Sequence, residues 1–312
     1  MLAIPLLIRD LVLFLTIALV TNLVTRKLAV PYTLGSVIIG LVVGIIGVTP
    51  EVRLTPDLVL FVFLPALLFE GAWNVKCSLL RTNWKVIFFL AESGLLLSFG
   101  TSASFLHLFD HIDWSTALLL AAILSPTDPV AVLGLFRQLH VNERLANIIE
   151  SENLLNDGVA GSLYQIFLTF VLLNLHSVAP TGWAALGSGL GQFLMEAGGG
   201  LLFGFISGLL ISQGLKRIDD PQIETSATLI AAYGVFWTAD ALHLSAIIAV
   251  IMLGLLRGNY GRNTAMTEQA KGDIDTFWNI IAFLANAFIF MLIGVQFHSY
   301  IHTLFSTPGL TI

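Results

Sequence analysis

Eight carboxylates, Glu70, Glu92, Asp128, Glu150, Glu152, Asp157, Glu196 and Asp240, stand in or beside long apolar runs. No Lys or Arg lies deep in any of those runs to neutralise them. Ionisable groups at membrane depth are costly and mark function by default. A buried carboxylate without a fixed cation either takes up a proton or recruits a mobile cation. The chemistry such a set suggests is competition between H+ and a metal cation at one site.

Two segments concentrate that chemistry. The first is Ser125-Pro126-Thr127-Asp128-Pro129. Its two prolines remove amide donors and clash with the preceding turn, so a helix entering it should break near mid-bilayer. Broken backbone at that depth is tolerated only where it is buried or lines a cavity, and its freed carbonyls are oxygen ligands for a small cation. The plainer reading is a proline kink with Asp128 capping the second half-helix. The second segment is Glu150-Ser151-Glu152-Asn153-Leu154-Leu155-Asn156-Asp157-Gly158. Asn153 and Asp157 share one helix face at i,i+4, and Glu152 and Asn156 share the adjacent face. Hard cations take oxygen ligands, and the apolar run after Asp157 desolvates it, which favours its protonated form. Acids at a helix N-terminus would be the alternative explanation, but four carboxylates or amides in six residues exceed what capping needs.

The elements that position these residues are membrane spans. Of 312 residues, 56% are hydrophobic and only 11% charged, and the mean hydropathy is +0.89. A soluble chain carries about 25% charge, so soluble and secreted enzymes are excluded. A single cysteine, Cys77, excludes a disulfide framework within the chain, and a net charge of −6 offers no basic face for nucleic acid. Ten runs suit a membrane helix of roughly 20 residues: 8–26, 32–48, 56–73, 84–106, 114–136, 146–174, 188–214, 223–241, 244–258 and 276–297. Of the 14 Lys and Arg residues, all but Arg9 and Arg53 fall at odd-numbered connections. That bias places the N-terminus outside and the odd connections in the cytoplasm. The C-terminus of ten spans then also lies outside. The basic pair Arg26-Lys27 follows the first apolar run rather than preceding it, so that run is not a cleavable signal peptide. The longest polar stretch, Gly258–Asp275, is expected to be the connection before the last span.

At these residues the chain resembles the NhaP/NHE-type monovalent cation:proton antiporters. The resemblance rests on Phe63-Leu64-Pro65-Ala66-Leu67-Leu68-Phe69-Glu70, on Ser125 through Val132, and on Glu152-Asn153-Leu154-Leu155-Asn156-Asp157-Gly158. It continues through Ser245 to Gly254, Gly258-Asn259-Tyr260-Gly261, and Phe277-Trp278 through Leu292-Ile293-Gly294. It implies an all-α polytopic fold of inverted repeats, with a broken helix near Pro126–Pro129, a mobile core bundle and a dimerisation domain. Residues 1–82 would be dimerisation helices, 83–176 the ion-binding core, and 177–312 linker and scaffold helices. It implies exchange of Na+ or Li+, or else K+, for H+ by a secondary transporter without a cofactor, in a homodimer at the plasma membrane. Asp157 would bind cation and proton alternately, with Asn156 beside it. Thr127 would offer a backbone carbonyl, Asp128 a nearby carboxylate, and Glu70 would reach the site through water. An Asn-Asp pair implies electroneutral exchange.

The chain departs from the family pattern at Ser151, where Gly is usual, at Asn153, where Ser is often a ligand, and at Ala246, where Gly is common. Relatives have about thirteen spans, and the absent part includes an Arg that pairs with the carboxylate at Glu152. The resemblance therefore implies a chain truncated at its C-terminus, and the alternative to transport is a non-transporting fragment. A remoter alternative, an intramembrane aspartyl enzyme using Asp128 and Asp157, lacks the Gly-x-Gly-Asp motif of that class. His107 and His111, and likewise His298 and His302, are spaced to bind a metal or sense pH, but interfacial histidines are the commoner explanation of that spacing. The glycine runs Gly187–Gly191 and Gly198–Gly204 permit close helix packing.

Overall fold

The computed structural model describes residues 3–28, 30–46, 55–127, 132, 136, 141–175, 183–216, 218, 220–264 and 266–306. Among them ten helices follow one another, and no strand occurs. They are α1 (Ala3–Leu28), α2 (Tyr32–Ile46), α3 (Pro56–Asn74), α4 (Cys77–Phe109) and α5 (Trp114–Leu124). Then come α6 (Glu143–Leu175), α7 (Trp183–Leu215), α8 (Pro221–Ala241), α9 (Ala246–Gly261) and α10 (Glu268–Ser306). Four segments are long and apolar enough to cross a membrane by themselves: Pro56–Asn74, Cys77–Phe109, Gly191–Leu215 and Glu268–Phe297. Large apolar side chains such as Phe89, Met195 and Ile230 are 70% or more exposed, which suits contact with lipid rather than water.

Local chemistry starts and stops the helices. Thr55, Asp113, Asp220 and Ser245 each accept a backbone N–H of the first turn and cap α3, α5, α8 and α9. Pro56 and Pro221 occupy first-turn positions where no donor is needed. α5 ends at Leu124, and Ser125 closes it by bonding Ala121 O through both its N–H (3.0 Å) and its Oγ (2.6 Å). The helix stops where the proline pair predicts; Asp128 and Pro129 lie outside the described residues. Single π-helical turns interrupt α3 at Val59–Phe63, α4 at Phe89–Ser93 and α9 at Arg257–Gly261.

The polar stretch 258–275 is largely helical: the π turn runs into Arg262–Thr264, and α10 begins at Glu268, ahead of the apolar run. The reason is amphipathicity. Ala270 and Ile274 are fully buried while Glu268 is exposed and pairs with Lys271 at 2.6 Å.

The chain divides into two compact units, Met1–Leu67 with Asp275–Ile312, and Leu68–Ile274. In the first, Phe14, Met291 and Leu292 form a small core, and a Cβ on Gly40 would meet Met291 O at 2.2 Å, so α2 and α10 touch through backbone. In the second, α9 lies against α7 in the same way: Cβ atoms on Gly200 and Gly204 would fall 2.4 and 2.2 Å from Ser245 O and Ala249 O. This is the close packing that the 198–204 glycines anticipate. His107 has its Nδ1 2.8 Å from Ile112 O and stacks on Trp114, a structural assignment for that histidine.

A buried charge pair is a finding that the sequence does not announce. Arg257, in the π turn that ends α9, is fully buried, as is Glu224 in the first turn of α8, and the two attract electrostatically. Arg257 Nη1 donates to Ser212 Oγ of α7 at 3.3 Å, while its Nε and Nη2 make no hydrogen bond among the described residues.

Candidate cation and proton site

α6 supplies most of the site. Its 33 residues span about 50 Å at 1.5 Å per residue, well beyond the hydrocarbon thickness, and the acidic segment occupies its first half. Both side-chain stacks expected from the spacing form. Asn153 Nδ2 donates to Asp157 Oδ2 at 3.1 Å, and Asn156 Nδ2 donates to Glu152 Oε1 at 3.3 Å. Asn156 Nδ2 also reaches across to Thr127 Oγ1, at 3.3 Å, just beyond the end of α5. The broken end of α5 and the acidic face of α6 therefore meet at Asn156, which is 2% exposed.

These donations orient both amides. With each Nδ2 committed to an acidic or hydroxyl oxygen, the two amide oxygens, Asn153 Oδ1 and Asn156 Oδ1, are buried and accept no hydrogen bond among the described residues. A buried acceptor without a donor is destabilising by about 1–3 kcal/mol. Both oxygens belong to amides whose Nδ2 is held by a site residue, Asn153 by Asp157 and Asn156 by Glu152 and Thr127, and an oxygen of this kind is a candidate ligand for a hard cation. Ser151, fully buried, donates to Asn147 Oδ1 at 3.5 Å, so Asn147 extends the polar column one turn toward the start of α6. Sequence reasoning omitted Asn147, although its i−4 relation to Ser151 was available.

Glu70 lies on α3, where Asn74 Nδ2 donates to its Oε1 at 2.7 Å. The neighbouring Gly71 faces α6: a Cβ there would be 3.8 Å from Leu154 Cδ1. The described contacts thus join Thr127 and Glu152 through Asn156, pair Asn153 with Asp157 on the adjacent face of α6, and hold Glu70 from its own helix. Asp128 falls outside the described residues. Of the other intramembrane acids, Glu196 is held by Gln192 at 2.7 Å, and Asp240 is exposed at the end of α8. Among the described residues no three His, Cys, Asp or Glu side chains converge on a metal position. The available ligands are amide, hydroxyl and carboxylate oxygens, the donor type that hard cations take.

The sequence matches the family described as sodium/hydrogen exchanger, transmembrane, over residues 12–312. It is 38% identical to the Na(+)/H(+) antiporter ApNhaP of Aphanothece halophytica over 267 residues, covering 86% of this chain and 50% of that protein. It is 31% identical to the Na(+)/H(+) antiporter NhaH of Halobacillus aidingensis over 296 residues, covering 92% and 72%. The fold superposes on the sodium proton antiporter MjNhaP1 of Methanocaldococcus jannaschii at pH 8 with a TM-score of 0.77 and 22% identity, covering 92% of this chain and 69% of that one. The chain spans about half the length of the first curated relatives it matches, 50% and 52%. With the family match, these similarities and the acidic, proline-broken site between α5 and α6, this polytopic membrane chain belongs to the sodium/hydrogen exchanger family.

Proposed function

We propose that this chain carries the ion-handling site of a secondary antiporter that exchanges Na+, or else Li+ or K+, for H+. What supports this reading is the pair of buried amide oxygens, Asn153 Oδ1 and Asn156 Oδ1, that accept no hydrogen bond among the described residues, on the helix that carries Asp157, whose Oδ2 accepts from Asn153. As a carboxylate, Asp157 joins those oxygens in ligating a desolvated cation. Once protonated it no longer compensates the cation's charge, and the cation leaves. Proton and cation thus exclude each other at one group, and the site crosses the bilayer loaded with one or the other, because an uncompensated charge in low dielectric is costly. Thr127 and Glu152 orient Asn156 through its amide. Asp128 and Glu70 complete the acidic surroundings. With a single Asp in the Asn156-Asp157 pair, both loaded forms carry the same charge, and the exchange is electroneutral. Residues 83–176 act as the moving core, and residues 1–82 and 177–312 as dimerisation and scaffold helices. The protein is a homodimer in the plasma membrane with its N-terminus outside, an orientation supported by the distribution of Lys and Arg.

The test is proton movement in everted vesicles from cells without other antiporters. The lumen is acidified, Na+, Li+ or K+ is added, and a pH dye is followed, with Asp157→Asn alongside. Dye recovery that disappears in the variant is expected. Cation-dependent recovery that persists in Asp157→Asn would defeat the mechanism.

A further inference from the structure

We propose that α9 is a spacer that sets the separation between α3, which carries Glu70, and α6, which carries Asp157, so that α9 tunes which cation size the site prefers. The inference deepens the cation reading above and rests on it. One stripe of α9, residues 247, 251, 254 and 258 at helical i, i+4, i+7 and i+11 spacing, touches both helices. In its first half bulky side chains enter glycine notches on α6. A Cβ on Gly158, the residue after Asp157, would lie 3.5 Å from Ile251 Cδ1, and one on Gly161 would lie 2.4 Å from Ile247 Cδ1. In its second half the relation reverses, and glycines let the α3 backbone close in. A Cβ on Gly254 would lie 2.6 Å from Ala72 Cβ and 3.0 Å from Phe69 O, and one on Gly258 would lie 2.3 Å from Trp73 O. Phe69 and Ala72 bracket Glu70.

Asn259 fastens this contact. Its Oδ1 accepts from Cys77 N at 2.8 Å, and its Nδ2 donates to Val75 O and to Leu255 O, each at 2.9 Å. Cys77 N is one of the orphan donors that open α4, and Val75 O lies past the last turn of α3. Asn259 therefore splints the α3–α4 junction to α9. The spacer cannot retreat, because its opposite face, at Ser245 and Ala249, is in backbone contact with Gly200 and Gly204 of α7. A change in bulk on the front stripe must then appear as a displacement of α3 or α6. Ile251, Gly254 and Asn259 are accordingly positioning residues that act through Glu70 and Asp157.

The experiment compares the wild-type chain with Gly254→Ala, with Gly254→Ala/Ala72→Gly, and with Ile251→Val, each purified in detergent. Apparent Kd values for Li+, Na+ and K+ are read from cation-dependent thermal stabilisation, and the same samples in proteoliposomes give the KM and maximal rate of cation-driven proton flux. A displacement of an ångström can change a rate by about a hundredfold, and a change of about tenfold in the Li+/K+ preference is the effect expected in Gly254→Ala. Removing the facing methyl in Ala72→Gly should bring it back. Ile251→Val, which takes one methyl from beside Gly158, should shift it toward the smaller cation, and it keeps the test open should Gly254→Ala not fold. Variants that lose thermal stability while keeping the wild-type cation preference would overturn the spacer role. A wild-type chain stabilised by no cation at all would instead overturn the underlying site reading.

Discussion

Replacing Arg257 by Met takes the guanidinium away from Glu224 at a position where neither group reaches water. Both residues are 0% exposed, and the pair draws together α7 through Ser212, α8 through Glu224 and the π turn that ends α9. Removing one partner of such a pair destabilises by about 3–5 kcal/mol, because the other charge stays buried. Removing both is a different perturbation. Only one of the guanidinium nitrogens is hydrogen-bonded, Nη1 to Ser212, while Nε and Nη2 have no acceptor among the described residues. The desolvation of the pair is thus incompletely repaid, and apolar replacement of such pairs is neutral or stabilising by about 1–4 kcal/mol. Arg257→Met and Glu224→Leu should each unfold at distinctly lower denaturant than the wild type, while the double variant should unfold no earlier than the wild type. The assay is reversible unfolding in mixed micelles followed by tryptophan fluorescence. An Arg257→Met protein as stable as the wild type, or a double variant that sums the two single losses, would refute the reasoning.

Asn156→Asp should place a second acid beside Asp157 and make exchange respond to membrane voltage. With valinomycin and K+ setting the potential, cation-driven proton flux should become voltage-dependent in the variant and stay voltage-independent in the wild type. The tie between Lys76 and Glu143, 2.8 Å apart, holds the Glu143 carboxyl below its ordinary range through the hydrogen bond and charge of Lys76. A lowered carboxylate contributes above its unfolded range and loses that contribution as pH falls through its folded one. Protection against amide hydrogen exchange in the first turns of α6, the observed rate relative to the intrinsic rate at each pH, should therefore fall at acid pH. Lys76→Gln should abolish that pH step, as should high salt, which screens exposed charges.

The two side-chain pairs of the candidate site were legible in the sequence because their geometry is local. The i,i+4 relations of Glu152 with Asn156 and of Asn153 with Asp157 follow from helical spacing alone, and the two prolines after Ser125 dictate where α5 stops. All ten spans correspond to helices, since apolar length is a property of the chain itself. What escaped is tertiary. Glu224 sits in the first turn of a helix opened by Asp220-Pro221 and reads as a dipole-favouring acid, and Arg257 reads as one more cytoplasmic positive charge. Nothing in their separation along the chain says that they face each other. Gly258-Asn259-Tyr260-Gly261 was recognisable only as a family motif, because the groups Asn259 satisfies, Cys77 N and Val75 O, belong to a junction far upstream. The helical start of α10 was hidden because hydropathy falls at Glu268 whereas helix formation continues.

The contact of α7 with α9 through glycine and main chain has a thermodynamic side. In a bilayer no hydrophobic drive presses helices together, since lipid tails are as apolar as the side chains they would replace. Association must come from dispersion between closely approaching atoms, less whatever conformational freedom is surrendered. Gly200 and Gly204 have no rotamers to lose, and they meet the carbonyls of Ser245 and Ala249 rather than flexible side chains. At these two contacts almost none of the attraction goes into side-chain ordering, which leaves them as low-entropy-loss fixed points between α7 and α9.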